Sequence, residues 1–293
     1  MLKPYHLWKF PTFELNNGWR EWWVDPLIAT LSFAVSIHIY WYHEHKYNHC
    51  CTPYPKWNSS LFQWKDSDIY KSGIAYWIGI LLFKTIIYPP GQTFQSSYKP
   101  IPDGIPDSIW SFFRLGLEVI TGILFYDFLF FFIHWSISNI RYIHVRHHQH
   151  SQISSIHTQK STISMTHRDT ISIQAKDVLR HSLPDGILQV IVNIIVQRYN
   201  LWGYCYMWIP FHLPYTIKSQ CARWIHNILI TWMLTESHTS YPHFNVFRHY
   251  CIGIREHRLH HMYPWKYDTR YQPFFGYLDQ CRFQWKTKMS KCH

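Results

Sequence analysis

Two copies of the motif His-x-x-His-His combine residue type and spacing in a way that could support chemistry. The chain holds 22 histidines among 293 residues, and chance arrangement of such a composition gives only roughly 0.1 copies of the motif. On a helix, positions i, i+3 and i+4 lie on one face, so each copy can direct three imidazoles toward one point. Neutral imidazole binds iron, zinc, copper and nickel. Two facing copies therefore predict a site for a pair of metal ions, with ligands His144, His147, His148, His257, His260 and His261.

The composition favours a membrane protein. Charged residues make up 15% of the chain and aromatic residues 19%, whereas soluble proteins average about 25% charged residues. Tyr and Trp are enriched at membrane–water interfaces. The net charge of +11 suits anionic headgroups or nucleic acid. Because the basic residues are scattered and no nucleic-acid motif accompanies them, we expect a membrane surface and no nucleic-acid partner. The seven cysteines lack a CxxC pair, which predicts reduced thiols on a cytosolic side.

Four apolar stretches can enter a bilayer and would position the histidines. They are residues 27–42, 74–88, 115–133 and 187–215, the last long enough for a helical hairpin. A spanning helix needs about 20 apolar residues, and only the third stretch supplies that length comfortably by itself. The first motif follows the third stretch and the second follows the hairpin, so both return to one side of the membrane. Lys and Arg around both motifs predict that this side is cytosolic.

Three further histidines flank the motifs in a recognisable order. His134 ends the third apolar stretch, and His238 and His243 precede the second motif. This order resembles the fatty acid hydroxylase/sterol desaturase superfamily of membrane non-haem iron enzymes. The family's histidine boxes correspond to HWSISN at 134–139, HVRHH at 144–148 and HRLHH at 257–261. Weaker similarities, HSLPDG at 181–186 and YQPFFGYLD at 271–279, extend the resemblance over roughly residues 115–285.

The resemblance implies an all-α fold, an integral membrane helical bundle with a cytosolic helical cap that holds a histidine-rich dimetal site. It implies a hydroxylase-like catalytic domain over 115–285. Outside that range we expect N-terminal membrane-associated helices and loops over 1–114 and a basic tail over 286–293. His134, His238 and His243 would join the six motif histidines as metal ligands.

The same resemblance implies two iron ions that activate O2 to hydroxylate or desaturate a sterol, acyl or sphingoid chain. The expected location is multi-pass in the endoplasmic reticulum, with the site facing the cytosol. Because the chain has no GxGxxG motif and no recognisable haem-binding domain, electrons would come from a separate donor such as cytochrome b5 or a reductase.

The first box departs from the family pattern. Its second histidine is replaced by Ser138 or Asn139, depending on the spacing used, and the interval to His144 is shorter by about one helical turn. Asn139 offers a carbonyl oxygen, so we expect a weak ligand or a residue that supports one. Asp127 lies within an apolar stretch, where a charge is costly unless paired, and we expect it to hydrogen-bond a ligand histidine.

Two other functions fit part of this pattern. The incomplete first box fits a membrane scaffold or lipid-binding protein of the same fold that has lost oxygen chemistry. The histidine content fits a zinc- or copper-binding membrane protein, although this alternative does not explain the order of the motifs.

Overall fold

The regular secondary structure of the described residues is entirely helical. The structure is a computed structural model that describes residues 24–51, 73–82, 105–139, 175–179, 183–198, 219–239, 246–262 and 270–290. Its α-helices are α1 (Val24–Cys51), α2 (Gly73–Leu82), α3 (Ile109–Asn139), α4 (Leu183–Arg198), α5 (Gln220–Ser237), α6 (Ile252–Met262) and α7 (Tyr277–Ser290), with a 3-10 helix at Ala175–Leu179. These ranges contain no strand, which confirms the all-α prediction for them.

Two of the helices are long and apolar enough to cross a membrane. The segment Val24–Glu44 of α1 has 21 residues and Ile109–Ser136 of α3 has 28, and they contain the first and third predicted stretches. The second and fourth stretches begin in shorter apolar helices, Gly73–Leu82 and Gly186–Gln197. The remainder of both, including the second half of the predicted hairpin, lies outside the described residues.

The two faces of α3 differ in both chemistry and exposure. The outer face is a stripe of exposed apolar side chains at three- and four-residue spacing: Trp110, Phe113, Leu117, Ile120, Leu124, Phe128 and Phe132. The inner face joins a core with α1, α4 and α5 through Leu115, Val119, Ile123, Tyr126 and Phe130. The same inner face also buries Glu118, Asp127 and His134. The helix therefore buries three polar side chains among apolar ones on its inner face and exposes a continuous apolar stripe on its outer face.

The pairing of α1 with α5 is the most extensive among the described elements. It rests on a row of hydrogen bonds that we call the polar ladder. Residues of α1 four positions apart face residues of α5 and its C-terminal end: Ser32 with Thr231 at 2.5 Å, Ser36 with Thr235 at 2.9 Å, Tyr40 with Glu236 at 3.0 Å and Glu44 with Thr239 at 2.5 Å. Since α1 precedes the predicted boundary at residue 114 and α5 follows it, the two predicted segments share one core.

The segment after α6 lies unusually close to that helix. The amide of Ile254 donates to the Phe274 carbonyl at 3.2 Å. Gly253 permits this approach, because a Cβ atom there would lie 2.5 Å from the same carbonyl oxygen. The chain then turns at Gly276, whose φ of 72° favours glycine, and enters α7. This helix continues to Ser290, so the basic tail predicted from residue 286 begins inside it.

Candidate metal centre

Five buried histidines from three helices meet at one end of the bundle. His134 lies near the end of α3, His238 caps the C-terminus of α5, and α6 supplies the others. Each is at most 7% exposed: His134, His238, His257, His260 and His261. Buried histidines are costly unless their ring nitrogens are satisfied, so a cluster of five calls for a chemical reason.

A trio within this cluster has the geometry of a metal site. Ligand atoms of His238, His257 and His261 all lie within 4.8 Å of one another. The Nε2 atoms of His257 and His261 are 3.0 Å apart, because residues four apart share a face of α6. The ring centroids of His238 and His261 are 4.5 Å apart. Three imidazole nitrogens around one point form a donor set that fits iron, zinc, copper or nickel.

The backbone of α5 orients His238 toward the other two histidines of the trio. Its Nδ1 atom lies 2.8 Å from the Leu234 carbonyl oxygen. Because a carbonyl oxygen only accepts hydrogen bonds, Nδ1 must carry the proton, and Nε2 of the neutral ring is then the nitrogen suited to bind a metal. The Ser237 hydroxyl, 3.0 Å from the same Nδ1, restrains the ring further.

His134 and His260 lie beside the trio and extend it. Their ring centroids are 5.2 Å apart, and the His134 ring is 5.6 Å from that of His257. The structure thus brings together five of the nine predicted ligands. The other four, His144, His147, His148 and His243, lie outside the described residues, as does the side chain of Asn139.

Aromatic side chains surround the five imidazoles. The Phe130 ring is 5.7 Å from that of His134 and 6.3 Å from that of His257. The buried Tyr271 ring is 5.4 Å from His134 and 5.9 Å from His260. The Arg282 guanidinium lies 4.7 Å from the Tyr271 ring centroid, on the side of α7. These rings restrict the space around the cluster and lower its local polarity.

Asp127 hydrogen-bonds none of the five described histidines, whereas we expected it to bond a ligand histidine. Its carboxylate accepts from the amides of Phe274 at 2.9 Å and Phe275 at 3.3 Å, and from the Gln272 side chain at 2.6 Å. The physical reason is distance, because Asp127 precedes His134 by about two helical turns. Its effect on the centre is indirect, through the segment that carries Tyr271.

A second carboxylate holds the other end of that segment. Asp279 accepts from the amides of Tyr271 at 3.0 Å and Gln272 at 2.9 Å. Burial raises the pKa of Asp279 to about 6. The Gln272 side chain closes the arrangement by accepting from the Leu278 amide at 2.6 Å. Two buried acids and one amide thereby fix Tyr271 against the histidines.

Sequence reasoning assigned no role to Tyr271, Gln272, Asp279, Glu44 or Glu236. The motif YQPFFGYLD already contained three of them. The polar residues within this aromatic motif could have indicated a structural role, since a buried polar group needs a hydrogen-bonding partner. For Glu44 and Glu236 the sequence holds no such signal, because their partners are largely backbone amides and hydroxyls distant along the chain.

No protein-family model matches this sequence, and no match was found among curated proteins or solved structures.

Proposed function

We propose that the chain is a membrane-bound non-haem di-iron oxidoreductase that uses O2 to hydroxylate or desaturate a lipid. The observation that carries the proposal is the meeting of five buried histidines at the end of an apolar helix. His134 lies near the end of that helix, and His238 and α6 contribute the rest. A lipid chain held in a bilayer would lie beside such a helix, so the oxidising centre and its substrate would be neighbours.

The exposure of the two long helices supports a membrane location. Only 28% of the candidate span in α1 and 44% of that in α3 is buried, whereas the core helix of a soluble protein is mostly buried. The exposed parts include large apolar side chains such as Leu31, Val35, Leu117 and Phe128. Contiguous apolar surface of this kind is stable when it faces lipid. We propose a multi-pass protein of the endoplasmic reticulum with its centre facing the cytosol, where the net positive charge meets anionic headgroups.

The protein's own residues would bind, orient and shield the metal. His238, His257 and His261 would hold one ion, and His134 and His260 would contribute to the second together with the predicted ligands of the first motif. Iron would supply the activation of O2 that breaking a C–H bond requires. Phe130 and Tyr271 would exclude water from the histidines. Electrons would come from a separate donor such as cytochrome b5 or a reductase.

Elemental analysis and lipid analysis together test the proposal. Full-length protein purified in detergent should carry iron at about two ions per chain, and cells that express it should contain an oxidised lipid absent from control cells. His260→Ala should remove both signals, because this imidazole is fully buried within the cluster. His38→Ala is the matched control, since His38 is exposed on α1 and should leave both unchanged. A well-folded sample without metal would refute the proposal.

One observation favours a second function, a zinc-binding membrane protein without oxygen chemistry. Among the described residues, only His238, His257 and His261 have ligand atoms within reach of a single ion. Three imidazoles with an open fourth position are a known arrangement for zinc. Zinc in the purified protein, with an unchanged lipid profile in expressing cells, would decide for this alternative.

A further inference from the structure

Two buried acids hold the residues on either side of His238. Glu236 precedes it by two residues and is 1% exposed; Glu44 of α1 contacts Thr239, which follows it, and is 2% exposed. Neither belongs to a histidine motif. Both are buried at the same end of the bundle as the five histidines.

Glu236 connects α5 to the turn that leads into α6. Its carboxylate accepts from the amide of Arg248 at 2.7 Å and from that of Phe247 at 3.1 Å. The Phe247 carbonyl in turn accepts from the Cys251 amide at 2.7 Å, immediately before α6 begins. The start of the helix that carries His257 is therefore attached to the end of the helix that carries His238.

The last two contacts of the polar ladder attach both flanks of His238 to α1. The Tyr40 hydroxyl donates to Glu236 at 3.0 Å and accepts from the Trp232 indole at 3.1 Å. One helical turn later, Glu44 accepts from the Thr239 hydroxyl at 2.5 Å and from the Ala175 amide at 3.2 Å. Since α1 runs along α5, it forms a rigid support for the residue between these contacts.

We infer that Glu236 and Glu44 are positioning residues of the metal centre, which hold His238 in register with His257 and His261 through α1 and the turn before α6. A carboxylate that accepts several N–H and O–H donors fixes them more firmly than neutral acceptors do. The trio depends on this register, because its ligand atoms come from two helices and lie within 4.8 Å of one another. The inference rests on the proposed function, since it assigns the two acids to the metal centre.

Glu236→Gln is the sharpest variant, because it keeps the size of the side chain and replaces one acceptor oxygen with a donor. Its matched control is Glu118→Gln. Glu118 is also a buried acid, 3% exposed, and accepts from the Ser219 amide and hydroxyl. Ser219 caps the opposite end of α5, an 18-residue helix, so this control lies about 27 Å along the helix from His238.

The first measurement titrates metal-free, full-length protein in detergent with Co²⁺ alone and follows its visible absorption. We expect Glu236→Gln to weaken Co²⁺ binding about 10- to 100-fold, as residues that support ligands commonly do, and to change the absorption bands that report coordination. Glu118→Gln should keep the parent affinity and bands. An unchanged affinity in Glu236→Gln, or an equal loss in both variants, would overturn the inference.

The second measurement uses hydrogen exchange on metal-free protein. Glu236→Gln should speed exchange in residues 246–262 and leave 219–224 at the parent rate, and unchanged exchange in 246–262 would also overturn the inference. Should the parent bind no metal, the proposed function fails while this measurement still decides whether Glu236 holds the turn before α6. Should Glu236→Gln fail to fold, Tyr40→Phe replaces it in both measurements. This variant removes the hydrogen bond from Tyr40 to Glu236. We expect it to lower the Co²⁺ affinity two- to tenfold, the effect of losing about one hydrogen bond.

Discussion

The two ends of α5 both bury polar groups, but they combine them differently. At the N-terminal end, Asp25 pairs with Arg223 at 3.2 Å and accepts from Gln220 at 2.6 Å. Each group there meets one of opposite charge or complementary hydrogen-bonding character. At the C-terminal end, imidazole rings lie next to imidazole rings, with two Nε2 atoms 3.0 Å apart. At the first end, opposite charges and hydrogen-bonding groups pair with one another. The second end concentrates imidazole nitrogens, which is the composition expected where a metal ion accepts their lone pairs.

The largest expected effect comes from removing the trio. His238→Ala combined with His261→Ala should lower metal affinity at least about a thousandfold, because most of the binding energy of such a site comes from its ligand bonds. Metal content of the purified full-length protein measures it. Asp25→Asn alters the other end of the helix and should leave the metal content at the parent level. Equal metal loss in the histidine double variant and in Asp25→Asn would show that the two ends of α5 do not differ in their role in metal binding.

Breaking the ion pair at the N-terminal end should mainly affect stability. Asp25→Ala leaves Arg223 buried without its carboxylate, and removing one partner of a buried pair costs about 3–5 kcal/mol. The free energy of unfolding in denaturant, measured on metal-free protein, gives the value. Replacing both partners, Asp25→Leu with Arg223→Met, should recover much of the loss. A loss of under about 1 kcal/mol would place this pair among ordinary surface pairs.

Asp279 should make the metal-free protein less stable as the pH rises. Burial raises its pKa from 3.8 to about 6, so the folded state binds the proton more tightly than the unfolded state does. The stabilisation is therefore complete below about pH 4 and is lost between pH 4 and pH 6, at roughly 1.4 kcal/mol per pH unit. Unfolding titrations across this range should show the slope in the parent and not in Asp279→Asn. The same slope of unfolding free energy against pH in the parent and in Asp279→Asn would assign this pH dependence to other groups.

The smallest expected effect tests the close approach of α6 to the segment that carries Tyr271. Gly253→Ala places a methyl group against the Phe274 carbonyl, which should cost about 1–3 kcal/mol and shift α6. Gly116→Ala is the control, because nothing lies within 4 Å of a Cβ there, and alanine in a helix should stabilise by about 0.4–1 kcal/mol. Thermal unfolding of both variants gives the sign of each effect. Stabilisation by Gly253→Ala would show that the contact is looser than described.

The histidines could be placed from the sequence because their spacing carries the information. His257 and His261 had to share a face of any helix that contained them, and His134 had to lie at the end of its apolar stretch. The supports of the centre could not be placed in this way. Asp127 and Glu236 bind mainly backbone amides, and every non-proline residue offers one, so nothing in the sequence marks the partner. For the same reason the sequence did not mark the partners of Asp127 or the contacts that α1 makes with α5 across the predicted boundary at residue 114.

The polar ladder also constrains how the protein is made. Its Ser32–Thr231 and Ser36–Thr235 bonds join residues 199 positions apart. At a translation rate of about 5–20 residues per second, α1 leaves the ribosome roughly 10–40 seconds before α5 does. During that interval the hydroxyl and carboxyl groups of α1 need another hydrogen-bonding partner. We therefore expect α1 of the nascent chain to be bound by molecular chaperones.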